Sequence, residues 1–322
     1  MKRILLGMAL CAAVPFVTRP VLMAQSATSG ASASVNASRE DLARAYLRMD
    51  RAYAIADSLG RITDSTRILV NRTFDRATLS FFGGRFAAAV AAIDSSVQRL
   101  TAASGVPSPS VTAVPSLSAF PGDSRRSLRV RDDLIIPMRV VVSPTLVASK
   151  RPLGVLLALH GAGGDENMFV DAYGQGVAAR LAAEQGLVLV SPTTTPFVQS
   201  AEPFDSLLAV LRRDYRVDTT RVYVMGHSMG AGAAASLARA RPSQIAAVVC
   251  LAGGAPVAVS FAPPMLFIGA SLDPIIPAAR VRAAAEGTPT GRYEELAGEG
   301  HTLMVRRGVL RGLAWIAELQ RR

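Results

Sequence analysis

The sequence predicts an α/β architecture: a mostly parallel sheet with helices on both faces, preceded by a small all-α unit. Three observations carry this. From residue 154 onward, continuous apolar runs of strand length (GVLLALH, LVLVS, RVYVMG, AAVVCLAG, PMLFIGA) alternate with alanine-rich stretches of helix length. A strand with no polar alternation is one buried on both faces, as in a parallel sheet covered by helices. Residues 38–103 instead repeat apolar side chains at helical spacing and show no strand pattern. Between the two regions, residues 104–124 hold four prolines and many serines, the composition of a linker.

Taken in order, the chain begins with Lys2 and Arg3 and then the apolar stretch Ile4 to Val17, too short to span a bilayer. Ala24 in VLMAQS offers a small residue for cleavage, so residues 1–24 read as a secretory signal. A retained N-terminal anchor is the alternative, and Arg19 and Pro20 interrupt it. A lipoprotein signal fits poorly because Cys11 follows Leu10 and not a small residue. The expected location is therefore outside the cytoplasm, periplasmic or extracellular, with no stable membrane span once the signal is removed. Residues 25–37 are small and polar, a flexible lead-in.

Three helices are predicted between residues 38 and 103. Ser38 with Asp41 three residues on is an N-cap pattern. Leu42, Ala45, Met49, Tyr53 and Ala56 share one face; Val70, Phe74, Ala77 and Phe81 repeat the stripe; Phe86, Val90, Ile93, Val97 and Leu100 continue it after Gly83-Gly84. GRFAAAVAAI (84–93) resembles the turn and second helix of a tetratricopeptide hairpin, but there is no repeat array, and such units are stable only in stacks. A helical bundle docked on the rest of the chain is expected, with no protein partner identified for it.

The domain from 125 to 322 opens with SLRVRD and IIPMRVVVS, read as an antiparallel pair. The parallel strands follow, with helices near 172–185, 203–214, 229–240 and 278–286; GRYEEL is a last strand and 303–320 a last helix. The net charge is +11, and losing Lys2, Arg3 and Arg19 with the signal leaves +8. The arginines are scattered, with neither a basic tract nor a nucleic-acid module, so nucleic acid is not the expected partner. Of the two cysteines, Cys11 lies in the signal, and Cys250 sits in an apolar run where a buried structural thiol is expected.

The chemistry gathers around VYVMGHSMGAGAA (222–234), a strand that breaks at Gly226 and a helix that starts after Ser228. Gly-x-Ser-x-Gly is weak alone, but a strand leading in and a small-residue helix leading out give it the context of a nucleophile elbow. Gly226 and Gly230 have a steric reason, since a side chain at either would collide with the adjoining strand and helix. A serine hydroxyl needs a base, and the chain has three histidines, His160, His227 and His301. His227 adjoins Ser228 and cannot fold back to serve it; His160 ends a strand before a glycine-rich loop; His301, in GEGHTLM before the final helix, remains. Asp273, in FIGASLDPIIP just past a strand end, supplies the acid that would orient the imidazole. Asp165 and Glu166 have no companion ligands, so no metal and no cofactor are expected.

Four motifs in this order resemble the α/β-hydrolase superfamily over about two-thirds of the chain: LHGAGGDENMF (159–169) its oxyanion loop, YVMGHSMGAG its elbow, GASLDPIIP its acid loop and GEGH its histidine loop. Within the superfamily the chain is similar to carboxylesterase/phospholipase-like, polyhydroxybutyrate-depolymerase-like and prolyl-oligopeptidase-like domains. The resemblance implies an oxyanion hole from the backbone N–H groups of Ala162 and Met229, with His160 and Gly161 structural in their loop and His227 packed beside the elbow. It implies a serine hydrolase, exported if residues 1–24 act as the signal, that cleaves carboxylic esters of small or oligomeric substrates through an acyl-enzyme on Ser228. A peptidase of the prolyl-oligopeptidase type is the alternative, weakened by the helical rather than β-rich N-terminal region. A non-catalytic binding protein with a helical docking unit is the alternative of another class. About ten residues separate the strand ending near Gly254 from the one starting near Pro264, too few for an inserted cap. An open cleft is expected, edged by the loop 192–204 and the N-terminal helices, with no jump in activity at a lipid interface.

Overall fold

Ser38 opens the first helix as its spacing to Asp41 predicts. Its hydroxyl accepts the Asp41 N–H at 3.1 Å, and the Asp41 carboxylate accepts the Ser38 N–H at 2.8 Å, so two orphan donors of the helix end satisfy each other. Helix α1 (Arg39–Ser58) is followed by α2 (Asp64–Phe82), capped by the Thr63 side chain, and by α3 (Phe86–Ser104), which ends at the left-handed Gly105. The computed structural model describes residues 37–107 and 122–321. The signal (1–24), nearly all of the lead-in and residues 108–121 of the linker lie outside the described residues.

The predicted stripes meet in one apolar cluster built on Met49, Tyr53, Val70, Phe74, Ile93 and Leu100. Two residues depart from a self-contained bundle. Leu303, from the far end of the chain, sits inside this cluster. Phe81, predicted on the same stripe, leaves it and lies over Gly163 of the second region, where a Cβ would overlap its ring. The helices and the sheet accordingly fall within one compact unit, residues 35–322.

The sheet comprises β1 (Asp123–Arg131), β2 (Leu134–Val141), β3 (Leu153–Leu159), β4 (Leu187–Pro192), β5 (Val217–His227), β6 (Ala247–Leu251), β7 (Met265–Ala270) and β8 (Gly291–Leu296). Their spatial order is β1-β2-β4-β3-β5-β6-β7-β8. β1 is antiparallel to β2 and β2 to β4; all other neighbours are parallel. The uninterrupted apolar runs are explained at once: β3, β4, β6 and β7 are buried at every position. A short helix α4 (Pro144–Ala148) links β2 to β3. One face carries α7 (Glu202–Asp214), α8 (Met229–Ala240) and α9 (Ala278–Glu286), and the other α5 (Val177–Glu184) and α10 (Met304–Gln320).

The structure corrects three sequence readings. The helical stretch expected near 172–185 divides into a π-helical turn (Met168–Ala172) and α5, because Gly174 and Gly176 take positive φ values of 66° and 72° between them. The loop expected over 192–204 contains α6 (Thr195–Gln199) and the start of α7, with Phe197 and Phe204 buried in the sheet core, so it does not edge the cleft. Strand β1 begins at Asp123, inside the segment read as linker. No helix or strand intervenes between Leu251 and Met265, as the absence of an inserted cap predicts. Among the described residues no helix is long and apolar enough to cross a membrane.

Asp123 has a structural reason to pair so early. It and Asp171 flank the guanidinium of Arg139 on β2, which is fully buried and also donates to Asn167 at 3.0 Å. A buried charge with its partners removed leaves the others uncompensated. Arg139→Met should therefore lower the unfolding free energy by about 3–5 kcal/mol in urea denaturation. Arg131→Met, which breaks the exposed pairs with Asp133 and Glu202, should cost no more than about 1 kcal/mol.

Candidate active site

Strand β5 runs straight into the elbow. Ser228 follows it with φ 54° and ψ −114°, a left-handed backbone that non-glycine residues rarely adopt. Its N–H donates to Leu251 O at 2.9 Å and its carbonyl accepts from Ala231 and Gly232, so both ends of the strained peptide are tied down. The flanking glycines are required by contact: a Cβ at Gly226 would overlap the Gly230 carbonyl, and a Cβ at Gly230 would overlap that of Leu159 on β3. Ser228 thus stands at the head of α8, and the Met229 N–H is among the donors no helical carbonyl reaches. Ala162 lines the same cleft as Ser228.

The structure brings Ser228, His301 and Asp273 into one hydrogen-bonded line. The Ser228 hydroxyl lies 2.9 Å from His301 Nε2, and His301 Nδ1 lies 2.7 Å from Asp273 Oδ2. An ionised carboxylate only accepts, so Nδ1 carries the proton and Nε2 is bare toward the serine. The other Asp273 oxygen accepts the N–H groups of Ile275 (2.8 Å) and Ile276 (2.9 Å). One carboxylate therefore closes its own turn after β7 and orients the imidazole. Both Asp273 and His301 are buried.

The other two histidines hold backbone. His227 lies between Tyr173 and the His301 carbonyl, 2.9 Å from each. The carbonyl can only accept, so His227 Nε2 donates to it and Nδ1 accepts the Tyr173 hydroxyl. Burial first, and then the electrostatic influence of the adjacent His301 ring, push the His227 pKa down to about 3; the ring stays neutral with both nitrogens engaged. His160 accepts the Thr194 N–H at Nε2 (3.0 Å) and donates from Nδ1 to the Gly161 carbonyl (2.8 Å). Its pKa is lowered by burial. Gly161 leaves room for the rings: a Cβ there would sit 2.9 Å from His227 Nδ1. Asp165 accepts the Asn167 N–H within its own loop, and among the described residues no group of His, Cys, Asp and Glu could hold a metal ion.

The residues that sequence reasoning missed come from the N-terminal helices. Asp75 on α2 accepts the His301 N–H at 3.1 Å with both oxygens, and Asn71 Oδ1 accepts the Gly300 N–H at 2.7 Å. A Cβ at Gly300 would run into the Asp75 carboxylate. The preceding residue, Glu299, is fully buried and accepts from Tyr53 (2.9 Å), Arg67 (3.0 Å) and Arg307 (3.1 Å). Its carbonyl also takes the Leu272 N–H at 2.9 Å, coupling the histidine loop to the acid loop. The available signal was polar residues on an apolar stripe: Asn71 and Asp75 flank Phe74 on the buried face of α2.

Comparison with known proteins agrees with this architecture. The profile of a family described as serine aminopeptidase, S33, matches residues 154–299. No curated protein matches the chain in sequence. Among solved structures, an S-formylglutathione hydrolase from Agrobacterium tumefaciens is similar with a TM-score of 0.52 and 18% identity over 63% of this chain and 98% of its own. Est1E from Butyrivibrio proteoclasticus is similar with a TM-score of 0.50 and 11% identity over 62% and 99%. A thermostable esterase matches with a TM-score of 0.45 and 21% identity over 62% of this chain and 60% of its own. The fold is that of the α/β-hydrolases.

Two buried carboxylates beneath the site give stability a pH dependence. Burial raises Asp75 from 3.8 to about 7, and Asp50, whose Oδ1 accepts the Gly174 N–H at 3.3 Å, likewise to about 7. Between pH 4 and 7 the folded state then binds more protons than the unfolded one, so these groups make stability fall as pH rises through that window. Asp75→Asn cannot ionise and keeps an acceptor for His301. Its unfolding free energy should drop less than that of the wild type between pH 5 and pH 8, by on the order of a few kcal/mol, in urea denaturation at the two pH values. An equal drop in both proteins would refute this account of Asp75.

Proposed function

We propose that the protein is a serine hydrolase acting on carboxylic esters, with Ser228 as nucleophile, His301 as base and Asp273 as the acid that orients it. The observation that carries this reading is the line Ser228 Oγ–His301 Nε2–Asp273 Oδ2, with spacings of 2.9 and 2.7 Å between hydrogen-bonded atoms. In the proposed mechanism His301 Nε2 takes the Ser228 proton as Oγ bonds to the ester carbonyl carbon. The carbonyl oxygen becomes an oxyanion held by the Met229 and Ala162 N–H groups. Collapse of the tetrahedral intermediate breaks the bond to the alcohol, which leaves with the proton from His301. A water molecule, deprotonated by the same nitrogen, then attacks the acyl-Ser228 ester, releasing the acid and returning the proton to serine. Asp273 keeps the imidazole in the correct tautomer and stabilises its charged form.

The description of the matching family favours a second reading, an aminopeptidase. The same serine and histidine serve both reactions, so the substrate decides between them. A binding protein without catalysis is disfavoured by the aligned line itself and by the helices, whose polar groups are spent on Glu299, Gly300 and His301. The proposal includes export through the segment 1–24, for which sequencing of the mature protein from Gln25 is the expected result.

A p-nitrophenyl ester series from acetate to palmitate, run beside amino-acid p-nitroanilides, tests the reading. The wild type should cleave the esters and react with a fluorophosphonate. Ser228→Ala should lose the label and at least about 10⁴-fold in kcat. Full esterase activity in Ser228→Ala would overturn the mechanism, and turnover confined to the anilides would move the assignment to the aminopeptidase.

A further inference from the structure

The cleft over Ser228 and His301 is a cavity of about 570 Å³, within the range that accommodates a small organic ligand. The sheet contributes only part of it. Leu42, Tyr46 and Leu47 of α1 and Phe74 and Phe81 of α2 form its apolar wall, facing Met168 and the Gly161–Gly164 loop. The grip of these helices on the histidine loop and on Gly163 fixes the wall relative to the nucleophile.

Charge narrows the choice of ligand. The chain has 35 arginines and lysines, yet none lines this cavity. Its titratable lining, apart from His227, His301 and Tyr residues, is acidic: Asp165 and Asp171, the latter already bound to Arg139. A carboxylate or phosphate on the substrate would meet no cationic partner in the lining and the like charge of Asp165. An uncharged hydrocarbon group would gain the burial energy of the apolar wall.

We infer that the α1–α2 wall is the specificity pocket, and that it takes the apolar group, a medium-length chain or aromatic ring, of a neutral ester. This rests on the serine-hydrolase reading above. The group can belong to the acyl or to the alcohol half of the ester, and the two halves are separable by experiment. Ala43 and Thr78 line the same cavity from α1 and α2 and are only partly buried, so a larger side chain at either position fills the pocket.

The test compares kcat/KM for p-nitrophenyl octanoate, acetate and hemisuccinate, and in parallel for octyl and ethyl acetate, in the wild type, Ala43→Phe and Thr78→Phe. Thermal melts and fluorophosphonate labelling of Ser228 establish that each variant is folded with a reactive serine. The wild type should prefer the octyl-bearing ester in one of the two series by about ten-fold or more, since buried methylenes discriminate at that level. The hemisuccinate should be the poorest of the three p-nitrophenyl esters. In a folded, labelled variant that preference should shrink at least about five-fold; either variant suffices, and the series that responds identifies the half of the ester bound. Wild type that labels and cleaves acetate but prefers neither long ester overturns the pocket assignment while the hydrolase reading stands. Equal preference in a folded, labelled variant and the wild type overturns it in the same way. Absence of both labelling and ester turnover overturns the two together.

Discussion

The candidate site depends on how one peptide is held. His301 has its N–H taken by Asp75 and its C=O taken by His227. Its side chain is free to swing only about bonds whose other end is fixed by Asp273 and Ser228. A loop between a strand and a helix would not by itself hold an imidazole to a few tenths of an ångström. Here the loop is gripped from α2 on one side and from the elbow on the other, so His227, the last residue of β5, and a helix from the opposite end of the chain act on the same backbone. Glu299, buried under Tyr53, Arg67 and Arg307, anchors the loop one step earlier.

The sheet supplies the remaining order. Ser228 follows β5, Asp273 follows β7 and His301 precedes α10, so all three lie at the carboxyl ends of parallel strands, where open α/β sheets present loops to ligands. The contacts at Gly226 and Gly230 show why the elbow admits so little variation: the serine is raised by bringing strand, turn and helix backbones to van der Waals distance. Strain at Ser228 persists because its N–H and C=O are both bonded to neighbouring elements.

Much of this was legible in the sequence because the signals were local. Unbroken apolar runs gave the parallel strands, Ser38 and Asp41 the first cap, and the count of three histidines singled out His301. What was not legible required contacts between distant segments. Asp75 and Asn71 look like ordinary polar interruptions of an amphipathic stripe until Gly300 and His301, over 220 residues later, are placed against them. Phe81 reads as bundle core by periodicity but spends its ring on Gly163. The segment 192–204 reads as a loop by its prolines and threonines, although Pro196 and Pro203 stand at helix starts, where a missing N–H costs nothing.

The position of the helices also explains why polar groups are buried where an apolar core would be more stable. Asp50 and Asp75 each lose solvation, and Asp50 Oδ2 is left without a partner. Apolar residues at these positions would pack the bundle at lower cost, but they would leave the N–H groups of Gly174 and His301 buried and unpaired. The carboxylates are thus set by the needs of the loops beneath them and not by the bundle. A docking module that came and went would expose those N–H groups each time it left. The helices are better understood as a fixed wall of the cleft, supplied by the N-terminal region.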